Sequence, residues 1–286
     1  MQLVRRRFVR HKLAMSSLVL LLLVVLMATI GRWIWKWNDT ELVPGPNGSP
    51  LGSTPPSWAH PFGTDTIGHD MFARVMRGTE ISLAIAFLVA LISTTIGVVL
   101  GAISGFVGGW VDGLIMRTVD LLLIIPLLAL AAVLGRKVSG ASSWYWIGVI
   151  LALFSWTSVA RIIRGEFLSL REKEFVEAAR ALGASAPRII FRHMLPNVIG
   201  SIIVNATLIV AAAILTETAL SYLGLGVKEP DSSLGLLVSL NQTAFSTRPW
   251  LFWFPGLFID IIALTVNFIG DGLRDAFDPK QTRVRA

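Results

Sequence analysis

The sequence contains no cysteine and little charge. Without cysteine the chain can form no disulfide, no cysteine-ligated zinc site and no iron–sulfur cluster. Charged residues make up 15% of its 286 residues, whereas soluble domains usually carry about 25%. There is no Gly-Lys and no His-Glu dipeptide, so the chain lacks both the phosphate-binding P-loop and the H-E-x-x-H zinc motif. These absences exclude a P-loop ATPase and an H-E-x-x-H zinc hydrolase.

Long apolar runs dominate what is present. Hydrophobic residues make up 54% of the chain, and several runs approach the ~20 residues that cross a bilayer as a helix. Only helices and closed barrels satisfy backbone hydrogen bonds in lipid, and these runs are too continuously apolar for barrel strands. The sequence therefore predicts an all-α integral membrane protein with six transmembrane helices. The predicted spans are Leu13–Ile30, Ile81–Ile103, Leu114–Leu134, Trp144–Ile163, Val198–Leu220 and Leu251–Ile269.

The chain is predicted to divide after its first span and the loop that follows. Residues 1–73 hold an N-terminal cytoplasmic segment, the first span and a Pro- and Gly-rich extracytoplasmic loop. Residues 74–286 hold the other five spans, which are predicted to form the core. The first span has a basic start like a signal peptide, but its apolar run is long and no clear cleavage site follows. We therefore predict an uncleaved anchor.

Basic residues are unevenly distributed between the two sides of the predicted helices. With the N-terminus inside, 17 of the 25 Lys and Arg residues fall on the inside and 8 on the outside. Cytoplasmic loops of membrane proteins are enriched in Lys and Arg, so the asymmetry predicts that both termini are cytoplasmic. The same enrichment accounts for the net charge of +7, and we predict no nucleic-acid partner.

The cytoplasmic loop at residues 164–197 carries the most specific pattern. Ser169 and Glu172 fit a capping box that would begin a helix. Gly183 lies where a helix C-terminus needs a residue that adopts positive φ. Between them, apolar residues recur at i, i+3, i+4 and i+7 and predict one apolar stripe on a charged helix. The stripe comprises Phe175, Ala178, Ala179 and Leu182.

A second short helix is predicted to complete a helix–turn–helix against the membrane. Pro187 suits its first turn, and Pro196 would end it before the next span. The paired alanines of the first helix leave a smooth surface, and Glu177 and Arg180 can orient a partner by charge pairing. This pattern favours a helix that docks in another protein's groove. The alternative is a solvated amphipathic linker.

The spacing of this loop resembles a known family. Glu177-Ala178-Ala179, Gly183 and Leu195-Pro196 are similar to the EAA loop of bacterial ABC importer permeases, in which EAA, three residues, Gly and nine residues precede I-x-L-P. His193 occupies the isoleucine position, which is a departure from the pattern. The resemblance implies a coupling helix that docks on an ATPase subunit. The coupling residues it implies are Phe175, Glu177, Ala178, Ala179, Arg180, Leu182, Gly183 and Pro196.

Further segments extend the resemblance from about residue 1 to residue 280. They resemble the C-type permease of the dipeptide, oligopeptide and nickel importers, and they are His60–Asp65, Gly68–Asp70, Leu220–Gly226, Gly270–Asp275 and Asp278-Pro279. The resemblance implies a type I ABC importer permease fold in the bacterial inner membrane. It also implies a homologous second permease, one or two ATPase subunits that bind ATP and Mg, and an extracytoplasmic binding protein. No cofactor is implied in this chain, which would be a transport subunit and not an enzyme.

Small and polar residues inside the spans indicate two further roles. Glycines spaced by four let helices approach closely, so helix packing is predicted for Gly97, Gly101 and Gly105. Ionisable residues within spans are costly and are expected to face protein or water. A position on the translocation pathway is therefore predicted for Asp120, Asn205, Glu217 and Asp260, although each can equally hold helices together. Pro126 is predicted to kink the third span.

The predicted function is a permease subunit for oligopeptides or dipeptides, with nickel, glutathione or another small solute as alternatives. A membrane-embedded enzyme would need a paired catalytic set on neighbouring spans, and none occurs at a persuasive spacing. A self-contained channel would conduct without ATP. His60 and His69 lie nine residues apart in an outer loop, a spacing more typical of ordinary loop residues than of ligands, and we predict no metal site.

Overall fold

A computed structural model of the chain describes residues 2–135 and 143–277. The described part is built of helices and connecting segments. The helices are α1 (Gln2–Arg10), α2 (Lys12–Ile34), α3 (Met71–Val107), α4 (Gly109–Ile124), α5 (Leu127–Gly135), α6 (Ser143–Arg171), α7 (Glu174–Ala181), α8 (Ala186–Arg188), α9 (Leu195–Tyr222), α10 (Leu234–Leu240) and α11 (Trp250–Phe277). Asp278 and Pro279 lie outside the described part. So do five of the basic residues counted above, namely Arg136, Lys137, Lys280, Arg283 and Arg285.

Five helices of the described part are long and apolar enough to cross a membrane: α2, α3, α6, α11 and the continuous helix from Ala186 to Tyr222. The third predicted span is divided instead. Its halves, α4 and α5, are separated at Ile125 and Pro126, where Ile125 is extended with ψ 122°. Proline lacks the N–H that a helix needs and disfavours helical backbone in the residue before it. At 1.5 Å per residue, the 16 residues of α4 cover about 24 Å, which is less than the ~30 Å hydrocarbon core. The count of six crossings stays a prediction.

The capping box predicted at Ser169 is wrong. Ser169 lies in the last turns of α6, which continues to Arg171, and Lys173 is the N-cap of α7. No glycine or proline follows Gly165 to interrupt α6. The buried Phe167 also holds this end of α6 in an apolar cluster, so packing outweighs the local capping signal.

The predicted stop at Pro196 is also wrong. The segment Ile189–Met194 forms a wider π-helical turn in which the Leu195 N–H donates to the Ile190 carbonyl, and α8, this turn and α9 run on as one helix. Pro196 is the second residue of α9. A π-helical turn relaxes the i→i−4 ladder, which explains how a helix accommodates a residue that has no N–H to donate.

The most extensive helix packing of the described part joins α3 to α6. A Cβ atom added at Gly97 would lie 2.5 Å from the Val159 Cβ, and one at Gly101 would lie 2.6 Å from the Ala160 carbonyl oxygen. At Gly105 the same atom would lie 2.6 Å from the Phe167 Cβ. The predicted glycine ridge therefore faces α6, and we call this contact the glycine seam.

The first and last long helices meet at the same end of the bundle. The His11 Nε2 lies 3.6 Å from an Asp275 carboxylate oxygen, and Gly272 packs against Ala14. Gly200, near the start of α9, packs against Phe277 at the end of α11. The start of α2, the start of α9 and the end of α11 therefore share one end, which also carries α7. We call it the coupling end, and the opposite end the outer end.

The glycine seam predicts that a Gly→Ala substitution changes stability differently at the seam and away from it. Ala at Gly101 places its methyl group against the α6 backbone, and we expect a destabilisation of about 1–3 kcal/mol. Ala at Gly113 of α4 meets no atom within 4 Å and adds helix propensity, so Gly113→Ala is expected to be neutral or stabilising. Melting temperatures of the purified protein in detergent check both; equal effects at the two sites contradict the packing.

Candidate coupling surface and translocation pathway

Helix α7 is anchored on one face and exposed on the other. Val176 is fully buried and Ala179 is 7% exposed, and both belong to one apolar cluster with Phe167 of α6. On the other side, Phe175 is 41% and Leu182 is 88% exposed. The predicted stripe is therefore divided, because Ala179 faces the protein while the other three members face outward. We call the exposed set Phe175, Ala178 and Leu182, together with Glu177 and Arg180, the coupling surface.

Gly183 ends α7 in the geometry that its position predicts. Its φ is +79°, the Ala184 N–H donates to the Ala179 carbonyl at 3.0 Å, and the Leu182 N–H donates to Ala178. The bond over five residues with a left-handed glycine is the Schellman ending. Of the remaining predicted coupling residues, Pro196 is exposed at the start of α9. Sequence reasoning missed Phe191, which is 68% exposed in the π-helical turn.

A bidentate ion pair joins α6 to α4 next to this surface. The Arg164 Nε and Nη2 donate to the two carboxylate oxygens of Asp112, each at 2.5 Å. The Ser104 hydroxyl donates to the same carboxylate from α3. Such a fork fixes direction as well as distance, so three helices are held together at the coupling end. The sequence does contain a signal for this pair, because Asp112 and Arg164 have opposite charges and lie at the facing ends of consecutive predicted spans.

Asp120 and Asn205 have local partners. Arg161 of α6 donates to the Asp120 carboxylate in an ion pair whose two side chains are about half exposed. The Asn205 side-chain amide donates to the Ser201 carbonyl at 2.8 Å within α9. Asn205 also lines an open cavity of about 520 Å³ at the coupling end, between α6, α9 and α11.

Glu217 lies in the protein interior, not on an open pathway. It is fully buried and accepts hydrogen bonds from three hydroxyl groups. Ser221 donates at 2.6 Å, Ser233 at 2.7 Å and Ser82 at 3.4 Å. These serines belong to α9, the N-cap of α10 and α3, so the carboxyl group joins three elements near the outer end. We call this set the glutamate hub.

Asp260 is exposed on α11, between the exposed Leu257 and Leu264. Its position near the middle of an apolar helix is costly against lipid. The structure therefore separates the four predicted pathway residues and does not bring them together around one space.

A cavity of about 370 Å³ lies where the break between α4 and α5 faces α6 and α9. Leu123, Pro126 and Phe154 supply apolar wall, and its lining includes hydroxyl groups at Ser155, Ser158, Thr157 and Thr216. None of its lining residues is charged, and none is among the predicted pathway residues. We call it the pathway cavity, after the role proposed for it below. In the sequence, the one indication of this cavity was Pro126, which interrupts the helix that forms its wall.

The two histidines of the outer loop bind different carboxylates. His60 Nδ1 lies 2.6 Å from Asp70, which also accepts from the Trp35 indole N–H at 3.1 Å. His69 Nδ1 lies 2.9 Å from Asp65. Within residues 2–135 and 143–277, no group of three or more metal-ligating side chains converges. These pairs pin the loop to the start of α3.

The helical arrangement matches that of solved chains from an ABC transporter. Two structures of the MetNI methionine ABC transporter in inward-facing conformations superpose with a TM-score of 0.59, at 19% and 17% identity. Each covers 73% of this chain and 98% of the other. The predicted type I ABC importer permease fold is confirmed. This fold and the five apolar helices define the class as a multi-pass integral membrane protein.

The chain belongs to the family of binding-protein-dependent transport system inner membrane components, which it matches over residues 97–283. Residues 1–56 match the N-terminal TM domain of oligopeptide transport permease C. A Brucella suis protein named a peptide permease is 44% identical over 96% of this chain and 89% of its own length. The oligopeptide permease OppC of Mycobacterium tuberculosis is 41% identical over 99% and 96%, and that of Salmonella typhimurium is 42% identical over 96% and 90%.

The glutamate hub predicts a stability effect that depends on the acceptor atoms. Glu217→Ala leaves buried hydroxyl donors without their acceptor, which costs about 1–3 kcal/mol for each unsatisfied group. Glu217→Gln keeps the shape and one acceptor oxygen, so we expect it to melt between the wild type and Glu217→Ala. Thr216→Ala, which removes a hydroxyl exposed on α9, is the matched control and should melt like the wild type. An Ala variant as stable as the wild type would contradict the hub.

Proposed function

We propose that this permease carries peptides inward as one half of the translocation pathway of an ABC importer. The named relatives, two of them oligopeptide permeases at 41–42% identity over nearly the whole chain, support a peptide substrate. The uncharged, hydroxyl-containing lining of the pathway cavity supports it as well, because hydroxyls can hydrogen-bond peptide backbone without selecting a side-chain charge. Both termini are proposed to be cytoplasmic, at the coupling end.

The single observation that carries the proposal is the division of α7 into an anchored and an exposed face. Val176 and Ala179 join it to Phe167 of α6 and to Met194, next to α9. The exposed face has the size and apolar character of a helix that docks in a groove. The proposed occupant is an ATPase subunit, one or two per transporter, which binds ATP and Mg. This chain is proposed to hold no cofactor and to catalyse no reaction itself.

Movement is proposed to pass from α7 to the pathway cavity through its anchors. Closure of the ATPase subunits on ATP would displace α7, and α6 and α9 would move with it because the apolar cluster joins them. Both helices line the pathway cavity, at Phe154 and Ser155 of α6 and at Ala212 and Thr216 of α9. Packed helices shift as units, so the cavity would open to one side of the membrane at a time.

A homologous second permease is proposed to complete the pathway. Asp260 supports this proposal, because an exposed carboxylate in the middle of an apolar helix needs protein or water beside it. The partner's face, or the water-filled space between the two permeases, would supply that environment. A soluble extracytoplasmic protein is proposed to deliver the peptide at the outer end, where the loop after α2 and the segment before α10 lie. The lipid bilayer surrounds the remaining apolar surface.

Nickel or another small solute is the second candidate within the same architecture. The pathway cavity contains no His, Asp or Glu among its lining residues, and nickel favours imidazole and other nitrogen or oxygen ligands in a defined geometry. That composition favours peptide over metal.

Uptake of a labelled tetrapeptide tests the substrate. Proteoliposomes that contain the complete transporter and its binding protein should accumulate the peptide only when ATP is supplied on the side of the membrane that carries the ATPase subunits. Alanine at one of the ATPase active sites should abolish uptake and serves as the control. Accumulation of nickel but not of peptide would replace the proposed substrate and leave the permease architecture in place.

Gly183 tests the coupling surface through a matched pair of substitutions. A side chain at this position meets no atom within 4 Å, so only the left-handed backbone discriminates between residues. Asn adopts positive φ readily and Val does not. We therefore expect Gly183→Asn to retain transport and Gly183→Val to lose most ATP-driven uptake while the chain still reaches the membrane. Equal uptake by the two variants would count against a role for this helix ending.

A further inference from the structure

An open cavity of about 430 Å³ lies at the outer end and shares no lining residue with the pathway cavity. It forms where the loop between α2 and α3 meets the segment that follows α9. The side chains that bear on its chemistry are Asp39, Thr40, His69, Arg74, Glu229 and Ser232. We call it the outer cavity.

Carboxylates outnumber cations around the outer cavity. The Arg74 guanidinium is only 10% exposed and already has two partners, Asp65 at 2.8 Å and Glu229 at 3.2 Å. His69 is bound to the same Asp65. Asp39 adds a further carboxylate, and within the described residues no basic group lies within ion-pair distance of it. Two carboxylates and one guanidinium therefore line the cavity, and Asp65 adds a third carboxylate behind Arg74, which leaves the region negative.

The carboxylate behind the wall stays charged. Burial alone would raise the pKa of Asp65, but the backbone N–H of His69, the His69 ring and the Arg74 guanidinium outweigh burial and hold that pKa below its usual value. Asp65 therefore offsets the charge of Arg74 from behind, and the carboxylates of Asp39 and Glu229 line the cavity in front of it.

Ser232 supplies an independent sign of a binding site. It lines the outer cavity and is 3% exposed, and its hydroxyl has no hydrogen-bond partner within the described residues. An unsatisfied buried polar group costs about 1–3 kcal/mol, and each such group calls for an explanation. A hydroxyl oxygen and two carboxylates together match the donors of an ammonium or guanidinium group.

We propose that the outer cavity binds a Lys or Arg side chain presented by the soluble binding protein. This inference rests on the proposed import function, in which that protein docks at the outer end. A protein side chain is favoured over the transported peptide because the outer cavity is separate from the pathway cavity. The cavity also has room for such a side chain together with water that bridges it to the wall. Insertion would fix the register of the docked protein by charge.

The charge of the outer cavity is tested without any partner. Because the chain has no cysteine, Thr40→Cys introduces its only thiol at the cavity wall. Ala59→Cys, at an exposed position of the same loop, is the matched control. Cationic and anionic methanethiosulfonates are reacted with the full chain in proteoliposomes. We expect the cationic-to-anionic rate ratio at position 40 to exceed that at position 59 by at least about fivefold. Adding Asp39→Asn should remove most of the excess, and equal ratios overturn the proposal.

Docking is tested in the assembled transporter, with the purified binding protein of the same transport system as the probe. The readout is the binding-protein concentration that half-maximally stimulates ATP hydrolysis. Asp39→Asn and Ser232→Ala should each raise this concentration about fivefold. Glu41→Gln changes an exposed acid of the same loop outside the cavity lining and should leave it unchanged. An unchanged value in Asp39→Asn overturns the docking role.

Two further outcomes separate the sources of the cation. If a free lysine-containing peptide, without binding protein, protects the thiol at position 40 from labelling, the occupant is the substrate and the docking proposal falls. If the binding protein fails to stimulate the wild-type complex, the import function fails and docking with it. The labelling ratio then still decides whether the cavity selects cations.

Discussion

Close contact between α3 and α6 is the constraint on which the rest of the bundle depends. Three glycines on α3 let its backbone touch that of α6, and any side chain there would push the helices apart. The position of α6 in turn determines where Arg164 meets Asp112 and where Phe167 receives α7. Because lipid supplies no hydrophobic driving force between helices, close packing contacts such as this one drive the association of the helices. The coupling surface therefore has its position because α3 lacks side chains along the ridge that faces α6.

Sequence patterns that lie within a single helix were sufficient to predict much of this fold. Apolar run length located five long helices, spacing by four located the glycine seam, and Gly183 identified the end of α7. The EAA spacing identified the family. Signals of the same local kind failed where packing competes with them. Ser169 and Glu172 have the residues of a capping box, but the cluster around Phe167 extends α6 past it, and a π-helical turn carries the chain through Pro196.

The placement of polar residues within the bundle was beyond single-sequence reasoning. Asp120, Asn205, Glu217 and Asp260 share one property, a polar side chain in an apolar helix, yet the structure gives them four different environments. Which environment each has depends on the rotation of its helix and on its neighbours, such as the three serines that surround Glu217. The pathway cavity was missed for the opposite reason. Its walls are apolar residues and hydroxyls, which look like ordinary span residues until a helix break places them around one space.

The pathway cavity has walls of unequal stiffness. Its α6 wall belongs to a helix of 29 residues without proline, about 43 Å long, whereas the facing wall contains the interruption at Ile125 and Pro126. A rotation of 10° about one end of such a rod displaces its far end by roughly 7 Å, and the interrupted wall has no continuous hydrogen-bond ladder to resist it. Deformation therefore concentrates at a single joint of two residues. In the proposed import function, the size of the solute that passes would be set at Ile125 and Pro126, by how far that joint opens, and not by α6.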